Sequence, residues 1–470
     1  MVPSVRVLND QELSEIDRAS RELLEDVGVS VHHEEALEVY RRAGAKVDFN
    51  RQRVRLPSYL IDDALSKCSP SIRLYGRNGA SPLTVGGMRS YFGTVGFATN
   101  VLDMETGVHR AVLSPDLEDM FRLADVLDPP EFILTPATPK DVPTEVSDLY
   151  EFKIGLTHTR KHIIAQAKGK ENLNRIIAMA EEVGGSPEAL QERPFFSVLV
   201  CLTSPLTLRP DAAELIIEGA RAGLPLFIEA GPMCGGTAPA TLAATLICAN
   251  AELLNSFVLA KAVNPGVPLV YASWARIMDM RSAAVSHGGP EFGLLRVGTT
   301  QLARFYRLPS GGGGILADSK SIDAQLGMEK IGTALLPALA GTNMILGMGI
   351  LAEENTVSLE SLMLDHEVAG YVRRVVAGIL VDDETTDLSI FREVGPGGNF
   401  LDRDHTMEHF REEMWIPEIT DRGSVVRGED PESTGMRKRA REALKKALGS
   451  YVPPPLPKGV ESRLEAIIGG

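Results

Sequence analysis

From residue 131 onward the chain alternates short apolar runs with longer stretches of helical periodicity. The predicted strands are 132–137, 162–167, 196–202, 226–230, 269–273, 311–316 and 343–346, with 388–394 as the eighth. The predicted helices between them include 173–182, 211–222, 240–262, 323–340 and 359–379. Regular βα alternation predicts an α/β protein with a parallel sheet, and this many units favours a closed TIM (β/α)8 barrel. A doubly wound sheet is the alternative, but no G-x-G-x-x-G follows an early strand.

The first 128 residues follow a different pattern. A helical face carries Leu13, Ile16 and Leu23, and the chain around Asn50 is typical of a short hairpin. These elements do not repeat with a barrel period, so we expect an N-terminal α+β extension over 1–128 and the barrel over 129–417. Residues 418–470 form a charged C-terminal arm with a P-P-P-L-P run, which either clasps a neighbouring subunit or lies on its own barrel.

Four consecutive glycines, Gly311 to Gly314, stand at one predicted strand and are followed by Asp318, Ser319 and Lys320. Glycine at the exit of a strand lets backbone or ligand approach closely, and polar residues gathered there can face a ligand rather than a core. The alternative is a glycine-rich connection without a chemical role.

Two long motifs identify a family. The first comprises A-D-S-K-S-I-D-A-Q-L-G-M-E-K at 317–330 and A-L-A-G-T-N-M-I-L-G-M-G at 338–349. The second is G-P-G-G-N-F-L-D-R-D-H-T-M-E-H-F-R-E-E-M-W-I-P at 395–417. Together with T-G-V-H-R at 106–110, these motifs resemble the trimethylamine methyltransferase family over nearly the whole chain.

The resemblance implies a TIM barrel that transfers a substrate methyl group to the cobalt of a separate corrinoid (cobalamin) protein, with no tightly bound cofactor of its own. Archaeal members of the family that demethylate trimethylamine carry pyrrolysine, whereas this sequence contains only ordinary residues. That departure points to the branch acting on quaternary amines such as glycine betaine, with carnitine, proline betaine and trimethylamine as alternatives.

The working residues of a TIM barrel come from the C-terminal ends of its strands. This rule selects Glu229, Asp318 and Lys320 as candidate catalytic residues. It also selects candidate substrate-binding residues, namely Gln166, Tyr271, Trp274, Gly347 and Met348. The structural alternatives are that Gln166 and Glu229 are hydrogen-bonded polar residues and that Asp318 and Lys320 form an ion pair that fixes a loop.

A quaternary ammonium is held by aromatic faces, at about 0.5 to 2 kcal/mol per contact. The candidate cage residues are Tyr91, Phe97, Tyr271 and Trp274, although an aromatic residue near a strand is more often part of the core. A betaine also needs a donor for its carboxylate. The candidates are Arg276, His366 and the backbone amides of 347–349, with a helix histidine paired to a carboxylate as the alternative for His366.

Composition excludes several classes. Hydrophobic residues make up 44% and charged residues 24% of the 470, as in an ordinary globular protein. A formal net charge of -15 argues against a nucleic-acid binder. The four cysteines have no zinc spacing, and the pair His405 and His409 lacks a third ligand, so no metal site is predicted.

The N-terminus lacks the pattern of a signal peptide and no uncharged apolar stretch reaches the length of a spanning helix, so we expect a cytoplasmic protein without membrane contact. We further expect a homo-oligomer. A TIM-barrel hydrolase or lyase and a non-catalytic binder of methylated amines are the alternatives to a methyltransferase.

Overall fold

Eight parallel strands close into a barrel in the computed structural model, which describes residues 3–77, 82–425, 427 and 435–469. The strands are β1 Tyr91–Thr94, β2 Phe132–Leu134, β3 His162–Ala165, β4 Phe196–Cys201, β5 Leu226–Ala230, β6 Leu269–Ser273, β7 Ser310–Gly313 and β8 Met344–Met348. β8 pairs in parallel with β1, and β1 with β2, which closes the ring.

Each barrel strand is followed by a helix outside the ring. These helices are Ser114–Val126, Ser147–His158, Lys170–Gly184, Pro210–Arg221, Leu242–Val263, Pro290–Phe305, Ala324–Ala340 and Leu359–Ala377. The predicted α/β class and TIM (β/α)8 barrel are therefore confirmed.

Seven predicted strands match barrel strands, but the eighth was wrong. Residues 388–394 contain the helix Ser389–Val394, whereas the remaining strand is β1, inside the segment assigned to the extension. The barrel boundary near residue 128 is therefore also wrong, because the barrel begins at Tyr91. β1 is short and lies in a glycine-rich aromatic region, so its sequence has no clear strand period.

The N-terminal part packs beside the barrel. It contains the helices Asp10–Asp26, Glu34–Ala43 and Ser58–Ser66 and the strands Val29–Val31, Lys46–Asp48, Arg53–Arg55, Ser71–Leu74 and Leu83–Gly86. The predicted hairpin around Asn50 is confirmed by antiparallel pairing of Lys46–Asp48 with Arg53–Arg55. Val29–Val31 adds in parallel to Thr207–Leu208, a short strand beyond β4, and so ties this part to the barrel.

Short strands and helices complete the loops. Around the C-terminal end of the barrel lie the strands Asn100–Leu102, His109–Ala111, Met233–Cys234, Arg276–Met278, Val285–Ser286, Ile350–Leu351 and Thr356–Val357. The remaining short helices are Thr144–Val146, Pro187–Glu192 and Asp404–Glu413.

The helix Leu242–Val263 is long and apolar enough to cross a membrane, but most of its residues are buried. The helix carries Glu252, which accepts hydrogen bonds from the Ser204 hydroxyl and the Leu206 amide. These contacts identify it as a core helix of the barrel layer.

The C-terminal residues lie on their own barrel. Helix Met436–Ser450 buries Ala440 and Leu444, and helix Val460–Gly469 buries Val460 and Leu464. The buried faces belong to the same two apolar clusters as the barrel. Of the two arrangements that the sequence left open for this tail, the structure shows the one within a single chain.

Glycines in β7 make room for large side chains. A Cβ atom on Gly311 would lie 2.5 Å from the Phe227 ring, and one on Gly313 would lie 2.7 Å from Phe292. Gly312 has a φ of +156°, and a Cβ there would lie 2.5 Å from the backbone oxygen of Ser273. The glycine run is thus a strand of the barrel wall. Only glycine fits there, because a larger residue would clash with the neighbouring rings and backbone.

Replacing Gly312 by alanine should destabilise the protein by about 2 kcal/mol, because the new methyl group meets a backbone atom and the φ angle is strained. Gly332→Ala is the matched control. Gly332 lies inside a helix with no neighbour within 4 Å of its virtual Cβ among the described residues, so the control should gain about 0.5 to 1 kcal/mol. Urea unfolding of the two variants measures both; equal stability would contradict the role assigned to Gly312.

Candidate active site

The C-terminal end of the barrel, here called the mouth, has an open interior. Cys201 ends β4 and is exposed, although β4 is hydrogen-bonded on both sides by neighbouring strands of a closed ring. Because neighbouring strands cover both edges of β4, the Cys201 side chain can be accessible only from the open space at the mouth. Small-molecule sites in TIM barrels lie at this end.

Glu229 lies beside this space on β5, and its exposed fraction is 8%. The Cys201 thiol donates a hydrogen bond to Glu229 Oε1 at 3.2 Å. Burial raises the pKa of Glu229 to about 7, against the opposing effect of the thiol and of Arg276. The carboxyl group is therefore poised between its neutral and ionised forms near neutral pH.

A second, partly buried glutamate comes from the loop after β8. Glu354 accepts a hydrogen bond from the indole Nε1 of Trp274, which directly follows β6. Burial raises the pKa of Glu354 to about 8, partly opposed by Arg276 and by the indole hydrogen bond. The bond fixes the Trp274 ring at the mouth, where its exposed fraction is 5%.

Two arginines share this electrostatic environment. Arg276 follows β6, and Arg296 extends from the helix Pro290–Phe305 and donates to the backbone oxygen of Ala275. The Arg296 guanidinium lies 4.7 Å from the centre of the Phe292 ring and is 1% exposed. Burial lowers the pKa of Arg296, and Glu229 and Glu354 partly offset this effect.

Several donors of these arginines are buried without a partner among the described residues. They are Nε of Arg276 and both Nε and one terminal nitrogen of Arg296. A buried, unpaired guanidinium donor is costly, and native structures usually satisfy it with protein, water or a ligand. Within the part of the chain that the structure describes, the mouth therefore holds unused guanidinium donors, the type of group that binds carboxylates in proteins.

His287 completes the cluster. Its ring contacts Phe292 edge-on, with centroids 5.4 Å apart, and Nε2 lies 3.8 Å from Glu354. Neither ring nitrogen has a hydrogen-bond partner among the described residues. Burial and the two neighbouring arginines lower the pKa of His287 to about 3, so the imidazole is neutral at pH 7. It can accept or donate one hydrogen bond to a bound molecule.

Two predicted cage residues lie elsewhere. Tyr271 points out of the barrel, where its hydroxyl donates to Asn250 at 2.8 Å and its ring meets Phe257. Side chains alternate along a strand, so Tyr271 and Trp274 cannot share a face. Tyr91 is the first residue of β1 and so lies at the opposite end of the barrel, with its hydroxyl on the Thr84 carbonyl. Both assignments to the substrate site are wrong.

Asp318 and Lys320 have structural partners. Asp318 accepts hydrogen bonds from the Ser286 hydroxyl at 2.6 Å and the His287 amide at 2.8 Å, so it anchors the loop that carries His287. The Lys320 ammonium is exposed and pairs with Glu353 at 2.6 Å. The proposed catalytic roles are not supported by these contacts, and the ion pair of Lys320 is with Glu353 rather than with Asp318.

The amide of Gly349 is not free to bind an anion. The Gly349 amide donates to Asp365 at 2.7 Å, and Asp365 in turn pairs with Lys330 at 2.7 Å. Gly347 is needed because a Cβ there would lie 1.9 Å from the Gly314 oxygen, and Met348 is fully buried. Gly347 and Met348 therefore form the barrel wall rather than a substrate contact, which corrects the prediction.

His366 also lies outside the site. It belongs to the outer helix Leu359–Ala377, and its ring binds the Pro129 carbonyl at 2.8 Å and Glu418 at 3.4 Å. Pro129 precedes β2 and so lies near the end of the barrel opposite the mouth. The predicted substrate contact is wrong, and the alternative of a helix histidine paired to a carboxylate is correct.

Two further predicted residues do lie at the mouth. Gln166 follows β3 and donates to the Thr135 carbonyl at 3.4 Å, close enough to Gly96 that a Cβ there would lie 1.8 Å from its amide nitrogen. Phe97 follows β1 with a φ of 78° and is 47% exposed. Of the aromatic residues predicted for the cage, Phe97 has the most accessible ring.

The sequence rule missed Arg296, His287 and Glu354. Arg296 lies in the middle of a helix and His287 and Glu354 lie on loops several residues beyond their strands, so none stands at a strand end. One available signal was A-E-E-N at 352–355 in the loop after β8, since two adjacent carboxylates in a barrel loop are unusual for packing.

No group of three or more metal-ligating side chains occurs in the described ranges. His405 and His409 stack with ring centroids 4.4 Å apart on the helix Asp404–Glu413, away from the mouth.

The buried pair of Lys330 and Asp365 should be essential for the wall beside the mouth, because both side chains are fully buried. Lys330→Met leaves an unpaired carboxylate and should cost about 3 to 5 kcal/mol of unfolding free energy. The double variant Lys330→Met, Asp365→Asn keeps an acceptor for the Gly349 amide without the charge and should recover part of that loss. Chemical denaturation measures both; a double variant less stable than the single one would refute the pairing argument.

Comparison with known proteins identifies relatives that match nearly the whole chain. The family model described as trimethylamine methyltransferase (MTTB) matches residues 1–469. A trimethylamine methyltransferase MttB of Desulfitobacterium hafniense is 35% identical over 98% of this chain and 92% of its own length. A glycine betaine methyltransferase of the same species is 31% identical over 100% and 97%. The solved monomethylamine methyltransferase (MtmB) of Methanosarcina barkeri shares 13% identity at a TM-score of 0.48, with 94% of each chain covered. The chain therefore belongs to the trimethylamine methyltransferase family.

Proposed function

We propose that this methyltransferase moves a methyl group from a quaternary amine that bears a carboxylate, glycine betaine first, to Co(I) of a corrinoid carried by a separate protein. The observation that carries the choice of substrate is the pair of mouth arginines with unused donors in the described part of the chain. A relative that is 31% identical over the whole chain is named for glycine betaine, which supports the same substrate.

The carboxylate would bind Arg276 and Arg296. With Glu229 and Glu354 protonated, these arginines leave the site with an excess of positive charge, and His287 is neutral. A carboxylate restores electrical balance and fills guanidinium hydrogen bonds that are charge-assisted and so stronger than neutral ones. Trimethylamine and choline have no carboxylate and would leave those donors unpaired.

The quaternary ammonium carries no N–H group, so it is held by aromatic faces and by carboxylates rather than by hydrogen bonds. Phe97 presents its ring at the rim of the mouth, and Trp274 contributes from the inner wall. Glu229 lies beside Cys201 at the edge of the open space and offers negative charge when it is ionised. One charged end of a betaine thus meets arginines and the other meets aromatic rings and a carboxyl group.

Cobalt(I) supplies the nucleophile in this chemistry. The C–N bond breaks, its electron pair stays on nitrogen and a neutral tertiary amine leaves, so the protein needs to supply neither a nucleophile nor a proton. The task of the chain is to orient the methyl group toward the mouth opening and to exclude water. Glu229 and Arg296 are fixed by burial before the substrate arrives, which limits the reorganisation that binding requires.

Trimethylamine is the second candidate. The relative with 35% identity is named for it, and a carboxyl group with a pKa near 7, such as Glu229, can accept a hydrogen bond from a protonated tertiary amine. That binding mode uses Glu229 without using the arginines.

The test mixes the purified protein with cobalamin held as Co(I), adds glycine betaine, carnitine, proline betaine, choline or trimethylamine singly, and follows methylcobalamin in the visible spectrum. We expect methylation with glycine betaine and not with choline or trimethylamine. Methylation by trimethylamine alone would favour the second candidate. If cognate corrinoid proteins in place of free cobalamin also gave no methylation, a binder without activity would be the better description.

The Arg276→Gln variant tests the contact with the substrate carboxylate, and choline, which has no carboxylate, is the control ligand. Arg276 is only half-buried, so its replacement should leave the fold intact. Loss of the guanidinium should raise the KM for glycine betaine at least about tenfold, because one charged hydrogen bond is removed. The binding of choline should not change. Equal losses for both ligands would contradict a carboxylate contact at this residue.

Binding should depend on pH in opposite directions for the two ligands. As the pH rises through the pKa values of about 7 for Glu229 and about 8 for Glu354, the glutamates ionise and neutralise the arginines. A bound carboxylate favours the protonated glutamates and so raises their pKa values. For each unit of this increase, the affinity for glycine betaine should fall by about tenfold as the pH rises, whereas the affinity for choline should rise. Calorimetric titrations from about pH 6 to about pH 9 measure both; parallel trends would exclude this electrostatic model.

A further inference from the structure

A strained turn lies at the mouth, in the loop that follows β8. Residues 352–354, called the left-handed turn below, join the antiparallel strands Ile350–Leu351 and Thr356–Val357. The φ angles of its three residues are 53°, 57° and 69°, in order. Successive residues with a Cβ atom rarely adopt this conformation, because the Cβ atom crowds the following carbonyl oxygen. A turn that only joined two strands would favour glycine or asparagine at these positions.

Strain of this kind is concentrated at the mouth. Nine residues other than glycine have a positive φ in the described structure, and seven of them lie in loops that follow a barrel strand. They are Phe97, Leu206, Ala283, Ile315, Ala352, Glu353 and Glu354. Strained backbone persists only where its surroundings fix it, and it clusters at functional sites. The left-handed turn is the longest consecutive run among these residues, so its strain calls for a function.

The first family motif holds the left-handed turn in place. The Ser319 carbonyl accepts a hydrogen bond from the Ala352 amide at 2.9 Å, and the Ala317 carbonyl accepts one from the Glu353 amide at 3.4 Å. The Lys320 ammonium pairs with the Glu353 carboxylate at 2.6 Å. This part of the motif therefore fixes the left-handed turn with two backbone contacts and one ion pair.

The left-handed turn presents Glu354 to the mouth. Glu354 Oε1 accepts the hydrogen bond from the indole Nε1 of Trp274, and Oε2 lies 3.8 Å from His287 Nε2, beyond hydrogen-bond distance. The Trp274 ring also lies against β7, where a Cβ atom on Gly313 would be 3.0 Å from Cζ2 of the ring. The place of the indole is therefore set by one hydrogen bond and by the absence of a side chain on the neighbouring strand.

We propose that the left-handed turn is a positioning element for methyl transfer, which holds Glu354 on the Trp274 indole and so fixes the aromatic ring that meets the methylated cation. This inference rests on the proposed function, in which Trp274 lines the inner wall of the mouth. Glu354 acts through Trp274 and is therefore a positioning residue. A ring that is fixed in advance needs no ordering when the cation binds, which offsets the strain of the turn.

The alternative is that Glu354 only satisfies the indole N–H group of a packed tryptophan. In that case the contact with β7 would keep the ring in place without Glu354, and the strain of the turn would have no effect on the ligand.

Tryptophan fluorescence tests the position of the ring without a ligand. The chain has two tryptophans, so Trp415→Phe leaves Trp274 as the single emitter. In this background Glu354→Ala should shift the emission maximum to longer wavelength and lower the anisotropy, because the indole loses its acceptor and moves toward water. Glu354→Gln should emit as the parent does, because its amide oxygen can accept the same hydrogen bond.

Lys320→Met loosens the left-handed turn without changing a side chain that meets the indole. The Lys320 side chain is 64% exposed, so this variant should fold even if Glu354→Ala does not. It should move the emission in the same direction by a smaller amount, because the two backbone contacts remain.

Ligand affinity tests the consequence for the substrate. Calorimetry at about pH 6 compares the parent with the alanine and glutamine variants, because the pKa of Glu354 is about 8 and its carboxyl group is uncharged there. Glu354→Ala should weaken glycine betaine and choline alike, by about tenfold, since both carry a trimethylammonium group and lose the same aromatic contact. Glu354→Gln should keep both affinities.

An unchanged emission in Glu354→Ala would overturn the inference, since packing against β7 alone would then hold the ring. A glutamine variant as defective as the alanine variant would do the same, as would a loss of affinity confined to glycine betaine. If the parent bound neither ligand, the proposed substrate class would fail, and the emission comparison would still decide the role of Glu354.

Discussion

The absence of side chains along β7 is the constraint on which the rest of the mouth depends. A barrel wall of ordinary residues would fill the space that the Phe227 and Phe292 rings occupy, since a Cβ at Gly311 or Gly313 would lie within 2.7 Å of them. At Gly312 the same atom would lie 3.0 Å from the Arg296 guanidinium. The glycine strand thus leaves space for the Arg296 guanidinium to reach the mouth from an outer helix. Side chains on this strand would fill that space, because protein interiors are closely packed.

That charge dictates the chemistry of its neighbours. Burying a guanidinium without compensation is costly, and two glutamates with raised pKa values lie close to the two arginines. The arrangement does not fully neutralise itself near pH 7, because protonated glutamates cannot balance permanently charged arginines. A zwitterionic ligand would supply the missing negative charge at one end and a cation for aromatic and acidic groups at the other, which is the argument for the proposed betaine over a simple amine.

The two ends of the barrel are built for different purposes. At the mouth, Asp318 fixes the loop of His287, and Glu354 fixes the ring of Trp274, so loops that carry polar groups are held in one geometry. At the other end the chain exposes apolar side chains on short helices outside the core. The two ends therefore differ in the kind of side chain that they expose.

The sequence by itself determined the barrel class, because apolar runs alternating with helical periods allow few other arrangements. Its motifs also identified the family, and the strand-end rule selected Glu229, Trp274 and Gln166, which lie at the mouth. Phe97, which was selected for its aromatic ring, lies there as well. It failed at β1, where a glycine-rich aromatic segment has no period, and at Tyr271, whose direction depends on strand register.

Only the tertiary structure decided which polar groups meet. Arg296, His287 and Glu354 lie on a helix and two loops, and their approach depends on distances across the barrel that no local pattern encodes. Burial then set their charges, because a pKa value depends on the surroundings of a group rather than on its place in the chain.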